Sequence, residues 1–495
     1  MKRTFLASSF IIASLVFTLI IFRYNTSVYA DSRVIYVDYT GQGDYLRIQD
    51  AINNATTGDI IFVRSGTYIE NVVVDKSVSL IGENRDSTFI DAGGTGTVIR
   101  VTANKVNIES FTIRNSGTIP TDYGINLALS NDNIIKNNKI TGNYMGIWLF
   151  SSINNTISRN NISSNLFSGV HGLYSLNNIF LGNIISSNDE YGVYLGGSNN
   201  NTIHHNNFVE NNVNAFADSL SSNLWDYRQE GNYWSNYNGT DFYSGPSQNI
   251  SGSDGVGDIA FAITEYIWDN YPLMGGFSGF SVTMKGEENN INVISNSSIS
   301  DFKFEIGAET GSKIIRFRAS GDMTTVGFCR VSIPARLMDD PYLVLVANEE
   351  VNPTLLNISS EIDVLLYFTY GHDSQVITIT SPEILRLYNQ LLSNYSVLQT
   401  NLKDLNSTYH EILNDFIDLL VNNTQLQGRL DELNSSYQEH LVRYAENAYN
   451  LRNLMYIFAA TTAIFLATTV YLSKYAHRDE TTMTKVVREE KSVSF

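Results

Sequence analysis

Four polar or aromatic side chains stand two residues after a glycine that recurs along the chain. Residues of alternating hydrophobicity surround them, so they should share the outward face of successive strands. Exposed rings at regular spacing can stack against successive sugar units, and we therefore predict a carbohydrate-binding surface. The alternative is that the rings pair with one another across adjacent strands and stabilise the sheet. With two neighbouring aromatics, the predicted binding residues are Asn126, Trp148, Phe150, His171, Tyr174 and Tyr194.

Carboxylates suited to catalysis do not recur at one position of this pattern. A polysaccharide lyase or esterase needs facing acids together with a basic residue near the sugar. Between Gly124 and Asn214 the acidic residues are Asp132, Asp189, Glu190 and Glu210. Because they fall at different points of the pattern, the sequence favours a non-catalytic protein for surface binding or architecture. A polysaccharide lyase or hydrolase-like enzyme is the alternative.

A Gly-rich segment, SGSDGVGD at residues 251–258, contains Asp254 and Asp258, and Asp241 is nearby. Carboxylate and carbonyl oxygens are the ligands that Ca²⁺ takes in proteins, so calcium is the one cofactor considered for this chain. A plain turn is the competing interpretation, since the segment lacks the full EF-hand pattern. We predict no other cofactor.

The recurring glycine marks an internal repeat. Gly124, Gly146, Gly169 and Gly192 are separated by 22, 23 and 23 residues, and a weaker match follows at Ala215. Such spacing is typical of stacked units. Four polar positions keep the same spacing: Ser130, Ser152, Ser175 and Ser198; Asn133, Asn155, Asn178 and Asn201; Asn138, Asn160, Asn183 and Asn206; Asn143, Asn165, Asn188 and Asn211.

Short β-branched segments between these positions favour strands over helices. The repeat therefore predicts a parallel β-helix in which each coil hydrogen-bonds the next at a rise of about 4.8 Å. Asparagine suits its corners because it tolerates left-handed backbone, and stacked amides can hydrogen-bond from coil to coil.

Two segments resemble known families. The opening GDYLRIQDAI and GTYIENVVVDKSVSLIGEN is similar to the first coils of pectin-methylesterase-type β-helices, and GNYWSNY, DGVGD and DNYPLM resemble the end of NosD-family β-helix domains. The resemblance implies a right-handed parallel β-helix of the carbohydrate-active type over residues 31–276. A short helix at Ile48–Ala55, before a first strand at Ile60, should cover its open end.

The NosD resemblance also implies a copper accessory role as a further alternative. Copper sites need clustered His, Met or Cys side chains. The adjacent His204 and His205 should point to opposite faces of a strand, which disfavours a shared site.

Residues 277–382 change to longer β-type runs, which predict an antiparallel β-sandwich. The expected strands are Phe277–Val282, Lys313–Ala319, Val326–Ile333, Tyr342–Val346, Asp363–Tyr370 and Gln375–Ile379. Cys329 falls within one of them and is interpreted as a small core residue.

Residues 383–453 show a 4-3 spacing of apolar residues from Ile384 to Leu454. This heptad pattern predicts a coiled-coil stalk, and because one apolar helix needs a partner we expect a parallel homo-oligomer. Asn-x-Ser/Thr sequons at Asn394, Asn406, Asn422 and Asn434 flank the seam, where a glycan would crowd the partner helix. The conflict is left open.

Both ends of the chain carry apolar segments. Residues 1–30 resemble a signal peptide with a small-residue cleavage site, although an uncleaved anchor is the alternative. Leu454–Ser473 contains no charge and predicts a transmembrane helix, and the basic residues of 474–495 place that tail in the cytoplasm. The expected localisation is a single-pass cell-membrane protein whose large N-terminal part is extracellular.

Sequons agree with this orientation, since none lies in the tail. The candidate glycosylation sites are Asn238, Asn249, Asn296 and Asn357. The chain contains 32 Lys and Arg against 50 Asp and Glu, a net charge of −18. No basic stripe could neutralise phosphates, so nucleic acid is excluded as a partner and a polysaccharide or surface glycan is the expected ligand class.

Overall fold

The computed structural model describes residues 32–218, 221–307, 311–338, 341–356, 363–373, 375–381, 395–409, 412, 433–449, 451–452 and 455. The chain divides into two compact units with the boundary between Gly279 and Phe280. The first unit contains the repeats.

Helix α1 (Ile48–Asn54) and short strands build the first unit. In chain order the strands are β1 (Val34–Val37), β2 (Ile60–Val63), β3 (Gly66–Ile69), β4 (Val72–Val74), β5 (Ser79–Gly82), β6 (Thr88–Asp91), β7 (Ile99–Val101), β8 (Asn107–Glu109), β9 (Thr112–Arg114), β10 (Tyr123–Ala128), β11 (Ile134–Lys136), β12 (Lys139–Thr141), β13 (Met145–Phe150), β14 (Thr156–Ser158), β15 (Asn161–Ser163), β16 (Ser168–Leu173), β17 (Ile179–Leu181), β18 (Ile184–Ser186), β19 (Tyr191–Gly196), β20 (Thr202–His204), β21 (Asn207–Val209), β22 (Val213–Ala217), β23 (Tyr233–Trp234), β24 (Tyr243–Ser244), β25 (Ile250–Ser251), β26 (Phe261–Ala262) and β27 (Trp268–Asp269).

Three parallel sheets run along this unit. Sheet 1 has the order β1-β2-β5-β8-β11-β14-β17-β20, sheet 2 the order β22-β19-β16-β13-β10-β7-β4, and sheet 3 the order β23-β21-β18-β15-β12-β9-β6-β3. Successive coils are in register, since Ile125 pairs with Ile147, and Ile147 with Val170. The right-handed parallel β-helix is confirmed.

Inward residues of all three sheets form one apolar core. Ile147 of sheet 2, Ile157 of sheet 1 and Ile162 of sheet 3 are each 0% exposed. Burying such side chains contributes roughly 1.5 to 3 kcal/mol each relative to exposing them. This repeated core holds the outward residues of every coil at fixed positions.

Buried asparagines stack in columns at the corners. The backbone N–H and the Nδ2 amide of Asn160 both donate to Oδ1 of Asn183 at 3.0 Å. Asn183 donates in the same way to Asn206 at 3.0 and 2.8 Å, and its Nδ2 also donates to the Ile157 carbonyl at 2.8 Å. Each amide thus uses both donors and both lone pairs, as a buried amide requires. The predicted asparagine columns therefore exist as hydrogen-bonded ladders.

Left-handed backbone at the corners lies one residue before the ladder. The φ angle is 55° at Arg159 and 58° at His205, which precede Asn160 and Asn206. The ladder asparagines are required for their amides, and the residue before each one makes the bend. The predicted left-handed asparagines occur at those preceding positions in several coils, as at Asn137, Asn154, Asn177 and Asn200.

Helix α1 covers the N-terminal end of the solenoid, as predicted. Its Ile48, Ala51 and Ile52 are 0% exposed in the core. Glu70 accepts hydrogen bonds from the Ile48 and Gln49 N–H groups at 3.0 and 3.1 Å, and so caps the start of the helix. The expected first strand at Ile60 is wrong, because β1 precedes the helix and pairs with β2.

A buried carboxylate ends the column of Asn206 at the other end of the solenoid. Asn206 donates to Asn232 Oδ1 at 3.1 and 3.0 Å, and the Asn232 N–H donates to Asp269 Oδ2 at 2.8 Å. The Trp234 indole N–H donates to the same oxygen at 2.9 Å. Burial raises the pKa of Asp269 to about 7, against the opposing effect of these hydrogen bonds.

The second unit begins within β28 (Gly276–Met284) and contains β29 (Glu287–Ser295), β30 (Ser298–Ile306), β31 (Lys313–Ser320), β32 (Val326–Pro334), β33 (Leu343–Val346), β34 (Glu349–Val351), β35 (Thr354–Leu355), β36 (Asp363–Gly371) and β37 (Gln375–Thr380). They make two five-stranded sheets, β28-β29-β32-β36-β35 and β30-β31-β37-β33-β34. Residues of both sheets, such as Val331 and Phe317, share one core. Cys329 is fully buried there, and burial raises the pKa of its thiol to about 11.

Strands β29 and β30 were not predicted from the sequence. Their polar runs, EENNINVIS and SISDFKFEI, lack the apolar density of the other strands. In β29 the buried apolar residues are Ile291, Val293 and Ile294, and no residue of β30 is fully buried.

Residues 395–409 and 433–449 are helical, within the predicted stalk. Among the described residues, no helix combines the length and apolar character needed to cross a bilayer. The predicted membrane span Leu454–Ser473 lies outside the described residues except for Met455, and so do the signal segment and the tail.

Candidate functional site

One register-aligned column of outward side chains, with one residue from each strand, runs along sheet 2. Neighbouring inward residues such as Ile147 and Leu149 are 0% exposed, which fixes the opposite orientation of the residue between them. We call this set the outer column. In successive strands it consists of Val73, Arg100, Asn126, Trp148, His171, Tyr194 and Phe216.

Rings of the outer column stack on one another. Trp148 and His171 have ring centroids 5.1 Å apart, His171 and Tyr194 4.4 Å, and Tyr194 and Phe216 5.1 Å, with interplanar angles of 27°, 17° and 18°. Tyr123 stacks on Trp148 at 5.3 Å. Because the ring faces cover each other, they are not open for face-on stacking with a sugar. The pairing of rings across coils, which the sequence left as the alternative, does occur.

Ring edges and polar groups are what the stacked column offers to solvent. The Trp148 indole N–H, the Nε2 of His171 and the Tyr194 hydroxyl have no hydrogen-bond partner in the described part of the chain. Aromatic edges carry partial positive charge and favour oxygen atoms. The column therefore suits an oxygen-rich ligand that lies along the solenoid axis.

His171 is a neutral member of the stack. It is 9% exposed, and its Nδ1 lies 3.2 Å from the Ser168 hydroxyl. Burial lowers the pKa of His171 to about 4. The imidazole is therefore uncharged at neutral pH and packs as an aromatic ring between Trp148 and Tyr194.

Asn126 is also buried in the column, at 8% exposure. Its Oδ1 has no hydrogen-bond partner among the described residues. An unpaired buried amide costs about 1 to 3 kcal/mol, in contrast to the fully paired amides of the ladders. Asn126 therefore places an unpaired amide oxygen in the outer column, as Asn107 and Asn161 do elsewhere on the solenoid.

Phe150 and Tyr174 keep more ring surface in contact with solvent than the stacked rings do. Phe150 is 37% exposed beside Trp148, and Tyr174 is 63% exposed. Tyr174 lies at a corner with φ 52°, one residue before the ladder residue Ser175, and its ring meets Phe150 edge-on at 6.1 Å. These two predicted binding residues extend the column sideways.

The three aspartates of the predicted calcium loop stabilise that loop by accepting hydrogen bonds from backbone N–H groups. Asp241 accepts from the Asp254 and Gly255 N–H groups at 3.0 and 2.8 Å. Asp258 accepts from Phe242 and Tyr243 at 2.7 and 3.1 Å. Burial, with the neighbouring Asp254 and Asp258 carboxylates, raises the pKa of Asp241 to about 6 although backbone hydrogen bonds oppose it. These hydrogen bonds agree with the competing interpretation, in which the aspartates stabilise the turns of the loop.

The His204–His205 pair does not point to opposite faces, contrary to the sequence prediction. The left-handed φ of 58° at His205 interrupts the alternation where β20 ends, and the two ring centroids lie 4.7 Å apart. His205 Nε2 is 2.7 Å from Glu230 Oε2, and Nδ1 of His204 is buried without a partner. Burial, reinforced by His205, lowers the pKa of His204 to about 3.

Metal binding finds little support in this donor set. Within the described ranges, no group of three or more His, Cys, Asp or Glu side chains could hold a metal ion. A copper site needs several soft donors. Two histidines, one of them held by a glutamate, do not fit that requirement.

The four acids considered for catalysis, Asp132, Asp189, Glu190 and Glu210, are all exposed. None of them lies in the seven strands of sheet 2. Asp132 accepts a hydrogen bond from Asn154 of the next coil at 3.2 Å. Nothing in these positions pairs two carboxylates across the outer column.

Sequence reasoning missed Arg100, Tyr123 and Phe216. The apolar residues on either side of Arg100, Ile99 and Val101, could have indicated its outward position. Phe216 was missed because the fifth repeat was aligned on Ala215, whereas Val193 pairs with Ala215 and the last interval is one residue shorter. With that register, Phe216 takes the position two residues after the repeat start.

Comparison with known proteins supports the fold assignment. A family model described as "Periplasmic copper-binding protein (NosD)" matches residues 52–239, which lie within the solenoid. The NosD-type resemblance is thereby confirmed for this part of the chain. No curated protein sequence matches the chain.

Solved structures with weak similarity include two pectin methylesterases and an alginate epimerase. Pectin methylesterase PemA from Erwinia chrysanthemi shares 15% identity, covering 40% of this chain and 73% of that protein, with a TM-score of 0.27. The pectin methylesterase from Aspergillus niger shares 17% identity, covering 41% of this chain and 71% of that protein, with a TM-score of 0.30. The periplasmic alginate epimerase AlgG shares 18% identity, covering 34% of this chain and 41% of that protein, with a TM-score of 0.26. At these scores the similarity carries no argument about activity.

Proposed function

We propose that the chain is a membrane-anchored extracellular protein that binds a linear polysaccharide or surface glycan along the outer column without cleaving it. The observation that carries the proposal is the series of unpaired polar groups on Asn126, Trp148, His171 and Tyr194, one per coil. A polymer that lies parallel to the axis would meet one such group every 4.8 Å or so.

Stacking of the rings supports binding by edges and hydrogen bonds. Stacked neighbours hold each ring in one orientation, so little side-chain entropy is lost when a ligand binds. Sugar hydroxyls can accept hydrogen bonds from the Trp148 indole N–H and can donate to or accept from the Tyr194 hydroxyl. The exposed rings of Phe150 and Tyr174 add apolar contact at the side of the column.

The absence of catalysis is part of the proposal. Within the strands of sheet 2 no acidic residue accompanies the outer column. General acid–base cleavage requires such a group within hydrogen-bond reach of the sugar. The alternative, a lyase or hydrolase-like enzyme, would have to use acids from the exposed turns.

We test this function with the full-length protein on a panel of plant, bacterial and animal-type polysaccharides, and score binding and release of reducing ends together. We expect binding without release, and loss of binding in a Trp148→Ala/Tyr194→Ala double variant. Tyr233→Ala, on sheet 3, is the matched control. No binding by the intact protein would overturn the proposal, and reducing-end release that disappears in Asp189→Asn/Glu190→Gln would favour the enzyme.

The anchoring part of the proposal rests on the sequence. The signal segment, the span Leu454–Ser473 and the basic tail would place the solenoid outside the cell. The term "periplasmic" in the matching family description agrees with a location outside the cytoplasm. The candidate glycosylation sites Asn238, Asn249 and Asn296 are exposed, while Asn357 lies outside the described residues.

The helical segments support a homo-oligomer through the stalk. Seam residues Leu398, Leu402 and Leu405 are 62%, 48% and 67% exposed. Exposed leucines at heptad spacing become buried when a second copy pairs with them. The sequons Asn406 and Asn434 flank this seam, so glycans there would have to point away from the partner.

Light scattering on the full-length protein tests the stalk. We expect an oligomeric mass that falls to that of a monomer in Leu402→Lys/Leu405→Lys. Val397→Lys is the control, because Val397 is 54% exposed but lies off the seam. A monomeric wild type would overturn this part of the proposal.

A further inference from the structure

Arg100 is the only Asp, Glu, Lys or Arg residue in the seven strands of sheet 2. It is exposed, and the described part of the chain provides it with no ion pair. Exposed cations without an ion pair in the described residues occur elsewhere on the solenoid, as at Lys139, but Arg100 is the one that lies in the outer column. Other cations on the solenoid, such as Arg114 and Lys136, pair with acids of the coil below at 2.8 and 3.1 Å.

The neighbours of Arg100, as well as its charge, suit it to ligand binding. It lies in register with Asn126, which in turn lies in register with Trp148. Asn126 has a buried Oδ1 without a partner, so the amide next to Arg100 is also unsatisfied. A cation, an unpaired amide and an aromatic stack thus follow one another at the N-terminal end of the outer column.

Asp91 and Glu109, nine residues from Arg100 on either side, pair with Arg114 and Lys136, and Asp122 lies just before the next strand of sheet 2. It is 8% exposed, and its Oδ2 accepts the Ile119 N–H at 3.4 Å. Tyr123, between Asp122 and the column, stacks on Trp148. The arrangement leaves Arg100 available to an external anion.

We propose that the outer column binds an acidic polysaccharide, with the carboxylate of one uronic acid unit held by Arg100 and a hydroxyl of that unit held by the Asn126 amide. This inference rests on the proposed function, because it names the class of glycan. A guanidinium group binds a carboxylate through two parallel hydrogen bonds, which gives orientation as well as affinity.

The uronic acid unit would mark one end of the bound segment. Trp148, the neutral His171 ring and Tyr194 would bind hydroxyl groups of the following units. Because the cation lies only at the N-terminal end, the polymer would bind in one direction. The rest of the acidic protein surface would repel the same polymer, so binding would be confined to the column.

Calorimetry with two matched oligosaccharides tests the inference on the full-length protein. The probes are tetragalacturonate and the same tetrasaccharide with its carboxyl groups reduced to alcohols. A chelator is present so that calcium cannot bridge the carboxylates. We expect the acidic probe to bind at least tenfold more tightly at low salt, with the difference shrinking as salt is added.

Three variants locate the effect. Arg100→Gln should lower the affinity for the acidic probe to that for the reduced one and leave the reduced one unchanged. Lys139→Gln makes the same charge change on sheet 3, where Lys139 is exposed, and should change neither. Asn126→Ala should lower the affinity for both probes by about three- to tenfold, as expected for the loss of one hydrogen bond.

Each outcome separates this inference from the proposed function. Equal affinity of the wild type for both probes, lost in Trp148→Ala/Tyr194→Ala, would overturn the inference and leave the glycan-binding function standing. An equal loss of affinity for the acidic probe in Arg100→Gln and Lys139→Gln would also overturn it, because the loss would then come from the change in net charge and not from a contact at Arg100. Binding of neither probe would count against both, and thermal melts confirm that each variant is folded.

Discussion

The solenoid contains two kinds of column that repeat once per coil and differ in every other respect. In the asparagine ladders the same residue occurs in each coil, and every donor and acceptor of Asn160 and Asn183 is paired. In the outer column the residue changes in each coil, and polar groups of Asn126, Trp148 and Tyr194 are unpaired. Both columns have the same geometric repeat.

The difference separates what holds the fold from what is available to a ligand. A ladder needs identical residues, because each amide must match the one above it. The outer column needs only flat rings that stack, so the polar group of each ring is free to vary. Unpaired polar groups on a rigid support are what a binding surface requires.

The largest predicted effect is a loss of stability when an asparagine of the ladders is replaced. Asn183→Ala removes the acceptor of the Asn160 backbone N–H and of one Asn160 Nδ2 hydrogen, and it removes the amide that donates to the Ile157 carbonyl. At about 1 to 3 kcal/mol for each unpaired buried group, we expect a loss of about 4 kcal/mol in the free energy of unfolding. Denaturant unfolding measures it.

Asn107→Ala is the matched control for that experiment. The Oδ1 of Asn107 is buried but has no partner, so its removal breaks no hydrogen bond. We expect the free energy of unfolding to stay unchanged or to rise, because the substitution removes an unpaired polar atom. Equal effects of the two substitutions would show that the ladder amides contribute nothing specific.

The buried carboxylate that ends the ladder gives a second prediction. In the unfolded chain Asp269 has its ordinary pKa of 3.8, while burial raises the pKa to about 7 in the folded protein. Between these values the folded state binds more protons, so this group increases stability as the pH falls from about 7 toward 4. The increase is at most about 4 kcal/mol.

Unfolding across this pH range in wild type and Asp269→Asn measures the contribution. The variant lacks the titrating group, so the difference between the two curves should rise toward low pH. A constant difference across the range would contradict the assignment.

The outer column should respond to pH in the opposite direction through His171. The unfolded imidazole takes up a proton near pH 6.5, while burial lowers the pKa to about 4 in the folded protein. The unfolded state therefore binds more protons in this window, and stability falls by about 3 kcal/mol as the pH drops from 6.5 to 4.

His171→Phe keeps a ring between Trp148 and Tyr194 and removes the titration. Its unfolding free energy should lack the decline seen in the wild type between pH 6.5 and 4. An unchanged decline would assign it to another group, of which His204 is the first candidate.

Much of the solenoid could be predicted because the same residue types recur at a fixed spacing along the sequence. Gly, Ser and Asn recur at fixed offsets, and the alternation around Trp148 places that residue outward. The stacking of the rings could not be predicted, since the same outward placement allows either open or mutually covered faces. Side-chain torsions and the spacing between coils decide between them.

Local backbone breaks account for the other errors. The left-handed φ at His205 brings the two histidine rings together, although alternation predicts the reverse. The last repeat interval is 22 residues, one fewer than the two before it, so the match at Ala215 was one residue out of register and Phe216 was not recognised as part of the column. Arg100 lies in an earlier coil of different length, where the repeat search did not reach.

The smallest structural change gives the most direct test of the central claim that the polar groups of the outer column bind the ligand. Tyr194→Phe removes one hydroxyl and keeps the ring stacked between His171 and Phe216, so we expect unfolding free energy to change by less than about 0.5 kcal/mol. Calorimetry should show a three- to tenfold weaker affinity for the glycan that the wild type binds, and no change in the Tyr233→Phe control. Unchanged affinity in Tyr194→Phe would contradict the account, because the column would then be a stacked support alone.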